Sequence, residues 1–518
     1  MPRGRVLVAL LLAACASGLA MPVYAADAAT ARDEASTTRA QDVEDARIRQ
    51  LARRATFGAT PQLIAEIRTL GRARWLDAQL APQSIADPTL AARLARYPSL
   101  DMDSATLLAR YPQRARDATN DTSEDASMDA LGRPARVLGE VSADVVTRAV
   151  HARAQLAEVM TDFWLNHFNV YAAEGPTRWT CVAWVRDTIR PHALGRFRDL
   201  LQATASSPAM LYYLDNYLSR APGSRTRRRN AVGINENYAR ELLELHTLGV
   251  TGGYTQADVE NAARVFTGWT ITPPRSGRIE FRFAAALHDG GDKVVLGQRI
   301  ASGGRAEGEQ LLDLLARSPA TAAHVVRKLV SRFVADVPPE SLVQRAQRVW
   351  LRSDGDLAAV LRTILESDEL FAASSRDAKV KSPLELVASA LRAAHADVRG
   401  GAVAAKLVGD LGQPILRAEP PTGWAETADA VVTAGGMVTR FDVAARIAQD
   451  RVAGVRVDPA RWTRLATGPR GIDALAADIL LVPPSDATHA ALVEARDAGA
   501  SNDLLAALVL SSPEFQQQ

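Results

Sequence analysis

Apolar residues recur at helical spacing along most of the chain. Runs with that period cover 61–80, 145–171, 181–203, 236–249, 256–268, 308–335, 340–352, 357–371, 382–396, 439–453, 472–481 and 503–511. Each predicts an amphipathic helix with one face toward a core. Alternation of the strand kind is scarce. It appears over 279–283 and 293–300, with glycines nearby, and predicts one small hairpin. The expected fold is mainly α: a large multi-helix array with at most one small β-hairpin, forming a single large helical domain over 46–518. Two segments interrupt the pattern. Residues 113–134 are polar and read as a mobile loop. Residues 220–230 hold Arg220, Arg225, Arg227, Arg228 and Arg229 and read as a second, solvated loop, with an anionic ligand or a membrane surface as the alternative.

A short echo occurs three times, at Ser206-Ser207-Pro208, Ser367-Asp368-Glu369 and Ser511-Ser512-Pro513. In each, an apolar helix stops, and serine followed by proline or an acid begins a new turn. This is a packing device without a fixed period.

The first 25 residues behave differently. Arg3 and Arg5 precede an apolar run from Val6 to Ala14, and small residues follow. The pattern is that of a secretory signal peptide. Val23-Tyr24-Ala25 suits ordinary signal peptidase, while Leu12-Ala13-Ala14-Cys15 matches a lipoprotein box that would make Cys15 a lipid anchor. Both remain open. Residues 26–45 are rich in Ala, Thr, Asp and Glu and read as a disordered leader. No later run reaches the roughly 18 apolar residues of a membrane span.

Composition changes the picture only at two points. Hydrophobic residues make up 47% and charged residues 23%, which excludes a disordered or collagen-like chain. Lys+Arg is 61 against 59 Asp+Glu, and the surplus lies at Arg3 and Arg5. The mature chain is formally neutral, which argues against a general nucleic-acid binder. After cleavage at Ala25 one cysteine remains, Cys181, in the apolar setting Trp179-Thr-Cys-Val-Ala-Trp184, where it reads as a small buried hydrophobe.

Candidate chemistry sits in four clusters. The densest is Asn235-Glu-Asn-Tyr-Ala-Arg-Glu-Leu-Leu-Glu-Leu-His-Thr-Leu-Gly249. On a helix, Asn237, Arg240, Glu241 and Glu244 share one side, and Tyr238, Leu242, Leu245 and His246 the other. Asn235 is the expected N-cap, and Arg240 and Glu244 form an i,i+4 pair. The stripe is either a solvated face or the wall of a cleft with Glu241 and Glu244 as acid, base or metal ligands. The second cluster places Met160, Phe163, Trp164, His167 and Tyr171 on one face, with His167 either a core histidine or a base. The third is Tyr213-Leu-Asp-Asn-Tyr217, with Asp215 and Asn216 at a helix end. The fourth is His288-Asp289 before Lys293. There is no P-loop, G-x-S-x-G, H-E-x-x-H, C-x-x-C or G-x-G-x-x-G.

At these clusters the chain resembles the bacterial family known as domain of unknown function 1800. The resemblance rests on Arg54-Ala-Thr-Phe-Gly58, Trp75-Leu-Asp-Ala-Gln-Leu80, Phe163-Trp-Leu-Asn-His-Phe168, Met210-Leu-Tyr-Tyr-Leu-Asp-Asn216 and Asn235–Leu245. It continues through Gly252-Gly-Tyr-Thr255, Phe266-Thr-Gly-Trp269, His288-Asp289, Arg327-Lys-Leu329, Lys381-Ser-Pro-Leu-Glu385, Gly412-Gln-Pro414, Gly423-Trp424 and Ser512-Pro-Glu-Phe515. Two positions depart from the family pattern: Gln50, where histidine is frequent, and Leu165, where a polar residue is. The resemblance implies an exported, mostly helical protein, often encoded beside an exported family related to sulfatases and alkaline phosphatases. It implies no reaction.

Two functional expectations follow. One is an exported hydrolase acting on an envelope or extracellular polymer, with Glu241, Glu244, His167 and Asp215 as catalytic residues. Asn235, Asn237, Arg240, Trp164, Asn216 and Trp269 would then bind substrate. The other is a non-catalytic binding or assembly partner of a neighbouring exported sulfatase-like protein. The sequence names no cofactor; a bound metal would make His167, Glu241, Glu244 and His288 its candidate ligands.

Overall fold

The computed structural model describes residues 23–112, 133–224, 233–468 and 470–518, with side chains omitted at 23–38 and 434. The signal segment up to Pro22 and Cys15, most of the loop at 113–134, and residues 225–230 of the arginine-rich loop lie outside the described residues. The chain divides into an N-terminal unit ending at Arg47 and a unit Ile48–Gln518.

Residues 26–45 differ from the expected disordered leader. They belong to a helix, Val23–Ala55. The segment has no glycine or proline and is rich in alanine, the best helix former. Its polar composition shows instead in exposure, since residues 39–43 all face solvent. Within the second unit the same helix buries Ile48, Leu51, Ala52 and Ala55, the spacing of one helical face.

The second unit is mainly α. Its central helix, Pro134–His151, buries Val137, Leu138, Val141, Val145, Val146 and Ala149 together with Glu140 and Asp144. Buried acids need partners. Ser99 N–H donates to Glu140 at 2.9 Å. Asp144 pairs with Arg148 at 2.6 Å and Arg190 at 2.9 Å, and Glu158 with the same two arginines at 3.3 and 3.2 Å. This four-membered network ties Pro134–His151 to the next helix, Gln155–His167, and to the turn at Arg190–His192.

Several long apolar runs are split. The run 145–171 breaks at Ala152–Ala154, and 308–335 becomes Arg305–Ala316 and Pro319–Phe333, with Pro319 starting the second helix. Two π turns, Trp184–Ile189 and Leu242–Thr247, interrupt helices that periodicity predicts as regular. Of the three serine echoes, Ser367 and Ser512 cap the following turn through their side chains, from Leu370 N–H at 3.2 Å and Phe515 N–H at 3.4 Å. Ser207 takes the N-cap position without a side-chain bond.

The strands correct the single expected hairpin. Among the described residues three short antiparallel pairs form: β1 Trp269–Ile271 with β2 Phe281–Phe283, β3 Lys293–Val295 with β4 Gln298–Ile300, and β5 Asp397–Val398 with β6 Val455–Arg456. β1 escapes detection because all three of its residues are buried and show no alternation. β3 and β4 meet through Leu296-Gly297, both at positive φ, as a two-residue turn requires. No helix among the described residues is long and apolar enough to cross a membrane.

Candidate functional site

The helix Gln155–His167 presents Asp162, Phe163, Leu165 and Asn166 to a cavity of about 90 Å³. That volume admits a few waters or one small polar group. The far wall is the irregular stretch 411–427, which has only isolated turns. Asn166 fastens this roof. Its Nδ2 donates to Trp424 O at 2.9 Å and Glu426 Oε1 at 2.6 Å, while its Oδ1 accepts from Trp424 N–H at 2.7 Å. Asn169 donates to Ala418 O and Pro420 O, both at 2.9 Å. The roof comes this close only because residue 423 is glycine. Its φ is +73°, and a Cβ there would lie 2.4 Å from Asn166 Oδ1. Asn166→Ala should therefore release the roof. Amide hydrogen exchange at Trp424 is expected to rise by roughly 5- to 150-fold, the equivalent of about 1–3 kcal/mol for an emptied polar clamp. Unchanged protection at Trp424 would remove Asn166 from this role.

Charged groups line the cavity. Asp162 sits one turn before Asn166, and no protein group hydrogen-bonds it among the described residues. Opposite stand Arg332, Glu385, Lys379 and Glu426. Arg332 pairs with Glu385 and Lys379 with Asp336. Burial pushes the Asp162 carboxyl up to about 7; Arg332 opposes the rise, and Glu385 and Glu426 add to it. A carboxyl that titrates near neutrality, unpartnered in a cleft, is equipped to give and take a proton.

The predicted stripe lies elsewhere. The helix Asn237–Glu241 runs into the π turn Leu242–Thr247, with Tyr238, Leu242 and His246 buried as expected and Leu245 only half-buried. Arg240 does not reach Glu244. It pairs with Glu236 at 3.0 Å and donates to Gln256 at 3.0 Å. The π turn moves Glu244 out of the i+4 position, and Tyr254 O–H donates to it at 3.1 Å. Glu241 is half-buried; burial and then Glu244 raise its carboxyl, against Arg240. Asn237 is exposed, and Asn235 accepts from Asn237 N–H at 2.9 Å as a local cap. Asp215 is exposed at φ +59°, its carboxyl raised by burial and by Glu174. Glu241, Glu244, Asp215, Asn235, Asn237 and Arg240 do not line the roofed cavity. Tyr213 connects the two regions. It donates to Glu419 O in the roof at 2.6 Å, lies 3.5 Å from Asn169 Nδ2, and is acted on by Glu241.

Four other predicted residues are interior. Trp164 is fully buried and donates to Ala193 O at 3.0 Å. Asn216 is fully buried, its Nδ2 donating to Phe266 O at 3.2 Å and Trp269 O at 2.9 Å. Trp269 is fully buried against Phe266 and Phe281. The structure gives these three no surface for a substrate; they support the core. His167 is buried beside His246 and His324. Its Nε2 meets His246 O at 3.1 Å and its Nδ1 meets Lys328 Nζ at 3.2 Å. Both ring nitrogens are thus occupied, and burial followed by Lys328 holds the ring well below its usual value.

His288 is structural as well. Its Nε2 meets Glu307 at 3.0 Å, and Glu307 also pairs with the fully buried Lys293. The candidate metal set of His167, Glu241, Glu244 and His288 is not brought together. Among the described residues no group of three or more His, Cys, Asp or Glu is placed to hold a metal ion. Cys181 is buried, which pushes its thiol up to about 12 and leaves it inert.

Sequence reasoning passed over Asp162, Arg332, Lys379, Glu385 and Glu426. One signal was present: Asp162 and Asn166 are an i,i+4 polar pair flanking the apolar Phe163-Trp164-Leu165. A family model described as a protein of unknown function, DUF1800, matches residues 50–517. No curated protein and no solved structure matches the chain.

Proposed function

Because the chain belongs to the DUF1800 family, described only as of unknown function, we propose a role from its own geometry: an exported hydrolase in which Asp162 carries the proton transfers. The observation that supports this is the unpartnered Asp162 carboxyl, pushed up to about 7 inside a roofed polar cavity. In the charged state it would take a proton from water, and in the neutral state it would protonate a leaving group. Glu426, held by Asn166, supplies a second carboxylate, as two-carboxylate hydrolysis requires. The small volume fits one terminal or pendant group of an envelope or extracellular polymer. Glu241, Glu244, Asp215 and the stacked pair Tyr212–Tyr217 offer polar and aromatic surface for the rest of such a chain. Export rests on the signal pattern of residues 1–25.

The test is product release. The purified protein is incubated with peptidoglycan, lipopolysaccharide and extracellular polysaccharide, and soluble fragments are read by mass spectrometry. Release from one of them is expected; release from none overturns the reading. A second reading, a non-catalytic partner of an exported sulfatase-like protein, is favoured by exposed apolar residues. Val432, Met437, Val438 and Phe441 are exposed on and just before the helix Ala434–Ala448. Stable co-purification with such a protein, without turnover, would replace the first reading by the second.

A further inference from the structure

Buried cations outnumber buried carboxylates behind the cavity. Arg54, Arg332, Lys381 and Arg440 converge on Glu385; the half-buried Arg53 acts on Lys381, and Asp377 acts on Arg53 and Arg54 from the surface. Glu385 pairs with Arg332. The others lean on neutral acceptors. Arg53 donates to Leu480 O at 3.1 Å, Arg54 to Ser375 O, and Arg440 to Gln516 Oε1 at 2.8 Å and Lys381 O at 2.9 Å. The Nε of Arg54 has no partner.

Lys381 stands out among them. The residue is 9% exposed, and its ammonium rests 3.6 Å from the centre of the Phe515 ring. It has no hydrogen-bond or ion-pair partner among the described residues. With Arg53 and Glu385 it lines a void of about 30 Å³, bounded also by residues 56–59. That space is about twice what one water needs. Burial, then Arg53 and Arg440, lower the Lys381 amine well below its usual value, and Glu385, already paired with Arg332, is the carboxylate that opposes this; an ammonium so placed is costly. The ring face offsets part of that cost but supplies no charge.

We propose that this void is a binding site for one small anion, held by Lys381 and Arg53 and no larger than chloride or a formate-like carboxylate. Glu385 is shared with the roofed cavity, so the occupant would sit one side chain away from it. The site stands on its own residues and does not depend on the catalytic reading.

The experiment follows the melting temperature of the purified full chain at constant ionic strength. Sodium gluconate, too bulky for the void, is replaced stepwise by sodium chloride or sodium formate. A saturable rise of roughly 2–4 °C is expected. A response to chloride alone identifies an inorganic anion, and a response to formate alone identifies a carboxylate. Lys381→Met keeps the contact with Phe515 and should abolish the response. An equal response in the variant, or no difference among the three salts, overturns the site. If Lys381→Met does not fold, equilibrium dialysis of the unaltered chain decides. One equivalent of labelled chloride or labelled formate supports the site, and binding of neither overturns it.

Discussion

Asp162→Asn is expected to abolish product release, by 10²- to 10⁴-fold on the scale of lost general acid–base catalysis, while making the protein more stable at alkaline pH. The second half of that expectation follows from the direction of the Asp162 shift. The folded carboxyl is pushed up to about 7 from 3.8. Between those values the native state holds a proton that the unfolded chain has lost, so stability falls as pH rises through the interval. The neutral amide removes that loss. Above pH 7 the variant should exceed the parent by roughly 2–4 kcal/mol in urea denaturation, and below pH 4 the two should converge. The rate profile should change in parallel. In the parent, kcat/KM should show an inflection near pH 7, and any residual turnover of the variant should lack it. A variant that loses activity because it unfolds, or one that keeps the inflection, would remove Asp162 from the proposed role.

Glu307→Gln is expected to be the most damaging single substitution for folding, at about 3–5 kcal/mol, because it breaks a buried ion pair from one side. Glu307 is 1% exposed. It receives Lys293, His288 Nε2 at 3.0 Å, and the N–H groups of Gly303 at 3.0 Å and Gly304 at 3.1 Å. The amide would leave Lys293 buried without its counter-charge. Burial pushes the Glu307 carboxyl up, but Lys293, His288 and Gly303 together hold it below its usual 4.5. Its contribution is therefore present above pH 4.5 and lost as pH falls through the lower folded value, so parent and variant should approach each other in acid. Pairing Glu307→Gln with Lys293→Met should recover much of the loss, since an apolar pair of similar size needs no charge balance. A midpoint shift in urea equivalent to less than about 1 kcal/mol for the single variant would contradict this account.

The helical class was legible because burial on one face of a helix leaves a period in the sequence. The breaks were less so. Ala152–Ala154 contains no proline or glycine, and the chain turns there because Gln155 caps the carbonyls of Ala149 and Ala152 at 3.1 and 2.8 Å. The roof over 411–427 is set by Asn166 and Asn169, some 250 positions away, which no local pattern records. The cluster around His288 was visible as chemistry, but its partner Glu307 lies in another element, so a clamp resembled a site. The stripe residues Asn237, Arg240, Glu241 and Glu244 are exposed or half-buried. Asp162 was hidden by its neighbours: surrounded by Met160, Phe163, Trp164 and Leu165, it belongs to a run that reads as core.

The π turn at Leu242–Thr247 makes this part of the chain sensitive to residue number. A π turn is one residue longer than the α turn it replaces, and each residue of a helix advances by 100°. The carbonyls it presents are already spoken for: Leu245 O accepts from His324 at 3.1 Å and His246 O meets His167 at the same distance. Removing one residue would leave a smoother helix and turn both carbonyls a quarter of a circle or more from those rings. Histidines contributed by two other helices would be stranded together. Whatever its outer face carries, the segment has to keep its length.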